Sequence, residues 1–230
     1  MSRIDASPST NGRGSDAWTK SWTHLRLERR SAGYCRMTFD HPPINTIAAT
    51  TVVQLAELVG LIEQDPDLNV VVFDSANPDF YLAHHESPTG RHAWLDLLLR
   101  LSQAPVVSIA SIRGRASGAG SEFVLACDLR FASREHTLLG PFDVRTGVVP
   151  SGGPTARLGH LAGRARALEI LLVADDLDGP RAEKYGYVNR AIADDRLDRE
   201  VDEIASRLAR FDHEAIARTK SHVVESLREA

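Results

Sequence analysis

The sequence predicts an α/β fold in which helices cover a parallel β-sheet. Two short runs of mostly apolar, β-branched residues, NVVVFDS and VVSIAS, have the character of strands buried on both faces. Amphipathic helical segments alternate with such strands at intervals of about 30 residues, as expected for stacked βαβ units. The last third of the chain is almost entirely helical in pattern, so a sheet-rich core should carry a helical C-terminal region.

Length and composition are those of a globular chain with one substantial core. The chain has 230 residues, of which 43% are hydrophobic and 25% charged, and its formal net charge is -4. This charge argues against a phosphate-binding surface, so no nucleic-acid partner is predicted. No run approaches the roughly 20 apolar residues that span a bilayer, so no membrane partner is predicted either.

Neither the N-terminus nor the cysteines indicate secretion. Residues 1–17 lack an apolar signal segment and are predicted to form a disordered leader. Cys35 and Cys127 provide neither a disulfide framework nor metal-ligand spacing. The sequence therefore predicts a cytoplasmic protein without a metal site.

The elements of the first half follow from local patterns. HLRLERR and YCRMTFD alternate like the two strands of a hairpin, near Leu25–Arg29 and Cys35–Phe39. Apolar residues then recur at helical spacing up to Asp65-Pro66, which should end a first helix. The remaining elements are predicted, in order, as the strand NVVVFDS, the helix RHAWLDLLLRLSQ, the strand VVSIAS, the helix EFVLACD and the strand LRFAS.

The second half is predicted to be helical around one strand, YVNRAI. This pattern suggests a division into a core with the active site, residues 18–154, and a helical region, residues 155–230. The predicted helices are Thr155–Leu161, Arg164–Val173, Arg181–Gly186, Leu197–Arg210 and Glu214–Leu227.

A glycine-rich loop, Gly118-Ala119-Gly120-Ser121, follows a strand and should open a helix at Glu122. Small residues let backbone N–H groups approach a ligand, and the positive end of a helix suits an oxygen that carries negative charge. A tight turn without a ligand explains the same glycines. The loop is not a dinucleotide fingerprint, because Phe123 occupies the place of the third glycine.

Two further segments contain side chains that could take part in catalysis or binding. Asp143 lies in LLGPFDVRTGVVPSGGPTARL, where it could be a catalytic carboxylate or an ordinary turn residue. NPDFYLAHHES is unusually apolar for a loop and ends in His84 and His85. Adjacent histidines point in different directions in regular structure, so they are poor ligands for one metal ion.

Together these segments resemble the crotonase superfamily, the enoyl-CoA hydratase/isomerase family, from about Leu25 to Leu227. HPPINTI resembles the segment that lines the CoA site, and DFYLAHHE the first oxyanion loop. RGRASGAGSEFVLACDLRFAS resembles the second oxyanion loop with its helix and strand, and GPFDVRTGVVPSGGPTARL the segment of the second acid. The resemblance implies the crotonase (ClpP/crotonase-like) fold, a ββα spiral core with a helical C-terminal trimerisation region, and hence a homotrimer or a dimer of trimers.

The resemblance also implies the roles of site residues. An acyl-CoA or acyl-carrier thioester would bind with its carbonyl oxygen between the N–H groups of His84 and Ala119, which would stabilise an enolate. Glu122 and Asp143 would be the catalytic acids. The residues expected to contact substrate are Ile44, Ala83, His85 and Gly118. No metal and no cofactor are expected, other than coenzyme A as part of the substrate.

Several features leave the reaction open. Asp143 is one methylene shorter than the usual glutamate, Ala119 adds a methyl group to the glycine-rich turn, and His84 resembles the residue of some decarboxylating members. The leading prediction is hydration or isomerisation of an enoyl-CoA. The alternatives are a decarboxylase or another C–C bond-modifying enzyme of the superfamily, and a non-catalytic CoA-binding or scaffolding homologue.

Overall fold

The computed structural model of the chain describes residues 18, 20–86, 91–141, 143–150 and 153–226. The predicted leader, residues 1–17, lies outside the described residues. The strands are β1 Leu25–Ser31, β2 Tyr34–Phe39, β3 Val70–Ser75, β4 Phe80–Leu82, β5 Val107–Ile112, β6 Arg115–Ser117, β7 Leu129–Ser133, β8 Leu138–Gly140, β9 Leu177–Asp178 and β10 Arg190–Ile192. The helices are α1 Ala49–Gln64, α2 Arg91–Gln103, α3 Ala119–Ala126, α4 Pro154–Ala162, α5 Arg164–Leu168, α6 Gly179–Tyr185, α7 Asp194–Leu208 and α8 His213–Ser226.

The larger sheet has the strand order β1-β2-β3-β5-β7-β10. β1 and β2 form the predicted antiparallel hairpin, and each later strand joins its neighbour in parallel. β3 and β5, which contain the two apolar runs, pair directly with Val70 opposite Val107. The predicted parallel sheet is therefore confirmed, within a mixed α/β architecture.

Helices cover this sheet as the apolar spacing predicts. The buried side chains of α1 include Val52, Leu55, Leu58, Val59 and Ile62, and the helix ends at Gln64, directly before Asp65. α2 buries Trp94, Leu97, Leu98 and Leu101 toward the same core. Burial of these stripes provides most of the stability of such helices. None of the helices in the described ranges is long and apolar enough to cross a membrane.

A second, smaller sheet was not predicted. Its order is β4-β6-β8-β9, with β4, β6 and β8 parallel and β9 antiparallel to β8. These strands have only two or three residues each, too few to show an alternating pattern. The sheet brings the ends of β4, β6 and β8 to one edge, and the predicted oxyanion loops and second acid follow these ends in the chain.

The predicted start of α3 at Glu122 is wrong. The helix begins at Ala119, immediately after Gly118, whose φ of 53° and ψ of -120° end the preceding extended segment. Glycine adopts a positive φ without strain, which permits this abrupt transition from strand to helix. Ala119 is therefore the first residue of the helix rather than part of a preceding loop.

The C-terminal helices lie close to their predicted positions. The predicted helix Arg164–Val173 is divided into α5 and a π-helical turn, Glu169–Val173. α8 is attached to the core by a largely buried ion pair, in which Lys220 Nζ lies 2.7 Å from Asp128 Oδ2 and also donates to the carbonyl of Val106 at 2.8 Å. The division at residue 154 into core and helical region stays a prediction.

Candidate active site

The buried side chain of Asn45 joins the segments around the site. Its Nδ2 donates to Ser75 Oγ at 2.8 Å and to the carbonyl of Phe80 at 3.2 Å, and its Oδ1 accepts the N–H of His41 at 2.7 Å. Its carbonyl accepts the N–H of Ala83 at 3.0 Å. Asn45 has a φ of 53°, a conformation that asparagine tolerates better than most residues. Sequence inspection does not single out Asn45; the available signal is a polar residue directly after Pro-Pro-Ile in an apolar run.

Backbone pairing holds the first predicted oxyanion loop beside this segment. The N–H of Ile47 donates to the carbonyl of His84 at 3.0 Å, and Ile47 forms a parallel bridge with His85. The N–H of Glu86 in turn donates to the carbonyl of Ile47 at 3.2 Å. Within this arrangement His84 is exposed, whereas His85 and Ile44 are half-buried.

The second predicted oxyanion loop contacts the first through backbone atoms. The N–H of Gly120 donates to the carbonyl of Ala83 at 3.0 Å, and the N–H of Gly118 lies 3.4 Å from the carbonyl of Gly140 at the end of β8. A Cβ atom at Gly120 would lie 1.9 Å from the carbonyl oxygen of Leu82. Only glycine permits this approach, so the close contact requires glycine at position 120.

This contact brings together the two N–H groups that the family resemblance assigns to the oxyanion hole. His84 follows Ala83 in the chain, and Ala119 precedes Gly120, so both groups flank the hydrogen bond between the loops. The N–H of Ala119 opens a helix and has no acceptor in it. Among the described residues outside the helix, no backbone carbonyl accepts the N–H of Ala119 either. The methyl group of Ala119 is accommodated in the main hydrophobic core, where it is buried.

Glu122 is a buried carboxylate in the first turn of α3. Its Oε2 accepts the indole N–H of Trp94 at 2.8 Å. The positive end of the helix stabilises a negative charge at this position. Glu122 therefore combines low solvent exposure with a defined hydrogen bond, as a group that transfers a proton requires.

Asp143 lies beyond β8 in a short 3-10 helix, Asp143–Thr146. Its carbonyl accepts the hydroxyl of Thr146 at 2.8 Å and the N–H of Val148 at 3.0 Å, so the turn is closed on itself. The side chain is half-buried, with Oδ2 shielded from solvent. Because β8 ends beside Gly118, Asp143 and Glu122 lie on neighbouring segments.

Arg157 on α4 is half-buried, whereas Arg164 and Arg166 on the following helix are exposed. Burial lowers the pKa of the Arg157 guanidinium, whereas the nearby Cys127 and Glu122 raise it. Arg157 therefore places a positive charge near the candidate acid, which its sequence context does not reveal.

The thiol of Cys127 is packed in the core and unreactive near neutral pH. It is buried at the C-terminal end of α3. Burial raises the pKa of its thiol to about 12, so the thiolate is not formed near neutral pH. Within the described ranges no group of three or more His, Cys, Asp or Glu side chains is placed to hold a metal ion.

A large apolar groove lies at the C-terminal end of α3. Leu125 and Ala126 follow Glu122 by three and four positions, and therefore lie on the same helix face. Both line an open groove of about 890 Å³ between α3, α4, α8 and the end of α2. Other apolar residues that line it are Leu99, Leu129, Leu161, Phe211, Ile216 and Val223. Glu122 itself does not line the groove, whose nearest residue along the chain is Leu125.

Comparisons with known proteins agree with this arrangement. The family model described as enoyl-CoA hydratase/isomerase matches residues 29–230. One similar structure is that of a Streptomyces avermitilis protein, which is assigned as an enoyl-CoA hydratase without proof of its reaction. The two sequences are 38% identical. The match covers 89% of this chain and 78% of that one, with a TM-score of 0.84.

Two further structures are more distant. DspI of Pseudomonas aeruginosa is 26% identical over 91% of this chain and 90% of its own, with a TM-score of 0.84. An enoyl-CoA hydratase of Bacillus anthracis is 22% identical over 90% and 84%, with a TM-score of 0.85, and supports the fold alone. With the family model matched over most of its length, the chain belongs to the enoyl-CoA hydratase/isomerase family of the crotonase superfamily.

Proposed function

We propose that the chain is an enzyme that adds water to an enoyl thioester and stabilises the resulting enolate at the N–H groups of His84 and Ala119. The observation that carries this proposal is the hydrogen bond between Gly120 and Ala83, which joins the two loops directly beside these groups. Backbone donors held in this way need no rearrangement as negative charge develops on the thioester oxygen.

Glu122 and Asp143 provide the proton transfers in this proposal. As the oxygen of water bonds to the β-carbon, one carboxylate accepts its proton, and a proton is delivered to the α-carbon beside the thioester. The buried carboxylate of Glu122 and the shielded Oδ2 of Asp143 are both suited to such exchange. The reaction adds one water molecule and requires no redox step.

The apolar groove at the C-terminal end of α3 supports a proposal about the acyl group. A methylene group gains about 0.8 kcal/mol when it is removed from water, so an apolar chain would bind in this groove in preference to a charged one. Its volume of about 890 Å³ exceeds that of a short acyl chain. We therefore propose substrates with medium or long acyl chains, with Ile44, Ala83, His85 and Gly118 near the thioester and its carrier.

The test is a direct assay with enoyl-CoA substrates of increasing chain length. Loss of the conjugated enoyl absorbance measures hydration, and exchange of the α-proton in deuterated water measures enolate formation separately. Glu122→Gln is expected to lower kcat by about 10² to 10⁴, with little change in thioester affinity. Asp143→Asn should have a similar effect in a hydratase.

Asp143→Glu separates the candidate reactions. It restores the methylene that this chain lacks, so hydration should become faster if the site is a shortened version of a hydratase site. It should become slower if the pocket is built around the shorter acid. Isomerisation or decarboxylation instead predicts that one of the two substitutions, Glu122→Gln or Asp143→Asn, is nearly silent. A parent protein that binds no thioester contradicts the enzymatic proposal and leaves the scaffolding alternative.

A further inference from the structure

Trp94 lies inside the core at the candidate site, although its sequence context indicates only packing. It is 1% exposed and lies on α2. Its ring contacts His85 edge to face, with 5.1 Å between centroids, and lies 6.2 Å from Phe123. A buried indole N–H requires an acceptor, and the acceptor here is Oε2 of Glu122 at 2.8 Å.

This hydrogen bond acts on the charge of Glu122 as well as on its position. A donor to a carboxylate favours the ionised form over the neutral one. The first turn of α3 and the guanidinium of Arg157 act in the same direction, whereas burial opposes them. A phenylalanine at position 94 would fill most of the same space but would leave Oε2 without this donor.

The other titratable groups around Glu122 do not replace the indole. Tyr187, ahead of β10, is fully buried, and burial raises its pKa far above neutrality, so it carries no charge. Its hydroxyl is hydrogen-bonded to Ser121. His85 contacts the ring of Trp94 edge to face, and Asp143 follows β8 on the neighbouring segment.

We propose that Trp94 is a positioning residue, whose indole N–H holds the carboxylate of Glu122 ionised and in one orientation toward the substrate. Through its contact with His85, the same ring connects this carboxylate to the loop that contains His84. The catalytic part of this inference rests on the proposed function, in which Glu122 transfers a proton. The electrostatic part does not.

The electrostatic part can be tested without substrate. In protein labelled with ¹³C at glutamate carboxyl groups, the Glu122 signal is identified by its loss in Glu122→Gln. Its titration midpoint should move upward by about one pH unit in Trp94→Phe, since a hydrogen bond to a charged group is of this order. Trp22→Phe is the matched control, because the indole N–H of Trp22 is buried without a hydrogen-bond partner among the described residues.

Kinetics tests the catalytic part. Trp94→Phe should lower kcat about tenfold, leave KM within about twofold, and move the acid limb of the kcat profile to higher pH. Trp22→Phe should change none of these. If Trp94→Phe does not fold, benzothienylalanine at position 94 retains the ring shape and replaces the N–H by sulfur.

The outcomes are distinct. An unmoved Glu122 midpoint in a folded variant overturns the proposal, whatever the activity. A shifted midpoint with unchanged kcat overturns the catalytic role of Trp94. A shifted midpoint in a protein that turns over no thioester supports the hydrogen bond and contradicts the proposed function instead.

Discussion

Gly120→Ala should separate the two loops that form the proposed oxyanion hole. The new Cβ atom would lie 1.9 Å from the carbonyl oxygen of Leu82 and 3.3 Å from that of Ala83. Ordinary contacts begin near 3.4 Å, so the start of α3 and the loop must move apart by about 1.5 Å. Because both neighbours are backbone atoms, no side-chain rotation can relieve the clash.

The consequence for activity is larger than that for stability. A displacement of about 1 Å at reacting groups costs on the order of a hundredfold in rate. Overpacking of a buried position costs roughly 1 to 3 kcal/mol of unfolding free energy. We therefore expect kcat/KM to fall at least a hundredfold in a protein that still folds, with a lower melting temperature.

The assay pairs enoyl-CoA turnover with thermal melting. Gly159→Ala is the matched control, because Gly159 lies inside α4 and an added Cβ would meet no atom within 4 Å. That variant should keep full activity and gain up to about 1 kcal/mol, as alanine favours a helix interior. If Gly120→Ala equals the parent in turnover and melting, the two loops are not held as the structure indicates.

Three further predictions concern the surroundings of the site. Asn45→Ala removes a buried side chain whose Oδ1 accepts one hydrogen bond and whose Nδ2 contacts three acceptors. It should lower the unfolding free energy by about 3 kcal/mol and the melting temperature by roughly 6 to 12 °C. An unchanged melting curve would contradict the role of Asn45 in joining these segments. Burial, and then the neighbouring His41, lower the pKa of His24 from 6.5, with Glu86 opposing. The unfolded chain then binds the proton more tightly, so this stability is complete above pH 6.5 and is lost as the pH falls through the folded pKa. The melting temperature of the parent should accordingly drop more between about pH 7 and about pH 5 than that of His24→Gln, and equal drops would refute the assignment. Thr219→Trp, at the groove lining on α8, should raise KM about tenfold for acyl chains of roughly twelve carbons and little for chains of about four; equal effects on both would show that the acyl chain does not enter the groove.

Some parts of the fold could be predicted from sequence because they follow from local composition. The apolar runs of β3 and β5 and the helical spacing in α1 each carry a strong periodic signal. The short strands of the second sheet do not, since two or three residues contain no period. The pattern places the start of α3 too late, because Gly118 and Gly120 are typical of a turn, whereas the backbone of Gly118 leads directly into the helix.

The candidate catalytic residues could be predicted from the sequence, but the residues that position them could not. Glu122 and Asp143 were named from family resemblance, and the structure places them on neighbouring segments. The roles of Trp94 and Asn45 depend on contacts with residues about 30 positions away along the chain. No local pattern reports such contacts, so a buried tryptophan is indistinguishable from core packing until its N–H is seen to meet a carboxylate.

The small sheet has a consequence for the order in which the molecule folds. Its strands come from positions between Phe80 and Asp178, and each contributes only a few backbone hydrogen bonds. Long chain segments must be closed before these bonds form, and the entropy of closure is offset only once the larger sheet is already in place. Folding of this chain should therefore begin in the larger sheet, with its long apolar strands. The edge that presents the candidate site should then be completed late and be among the first parts to open in local unfolding.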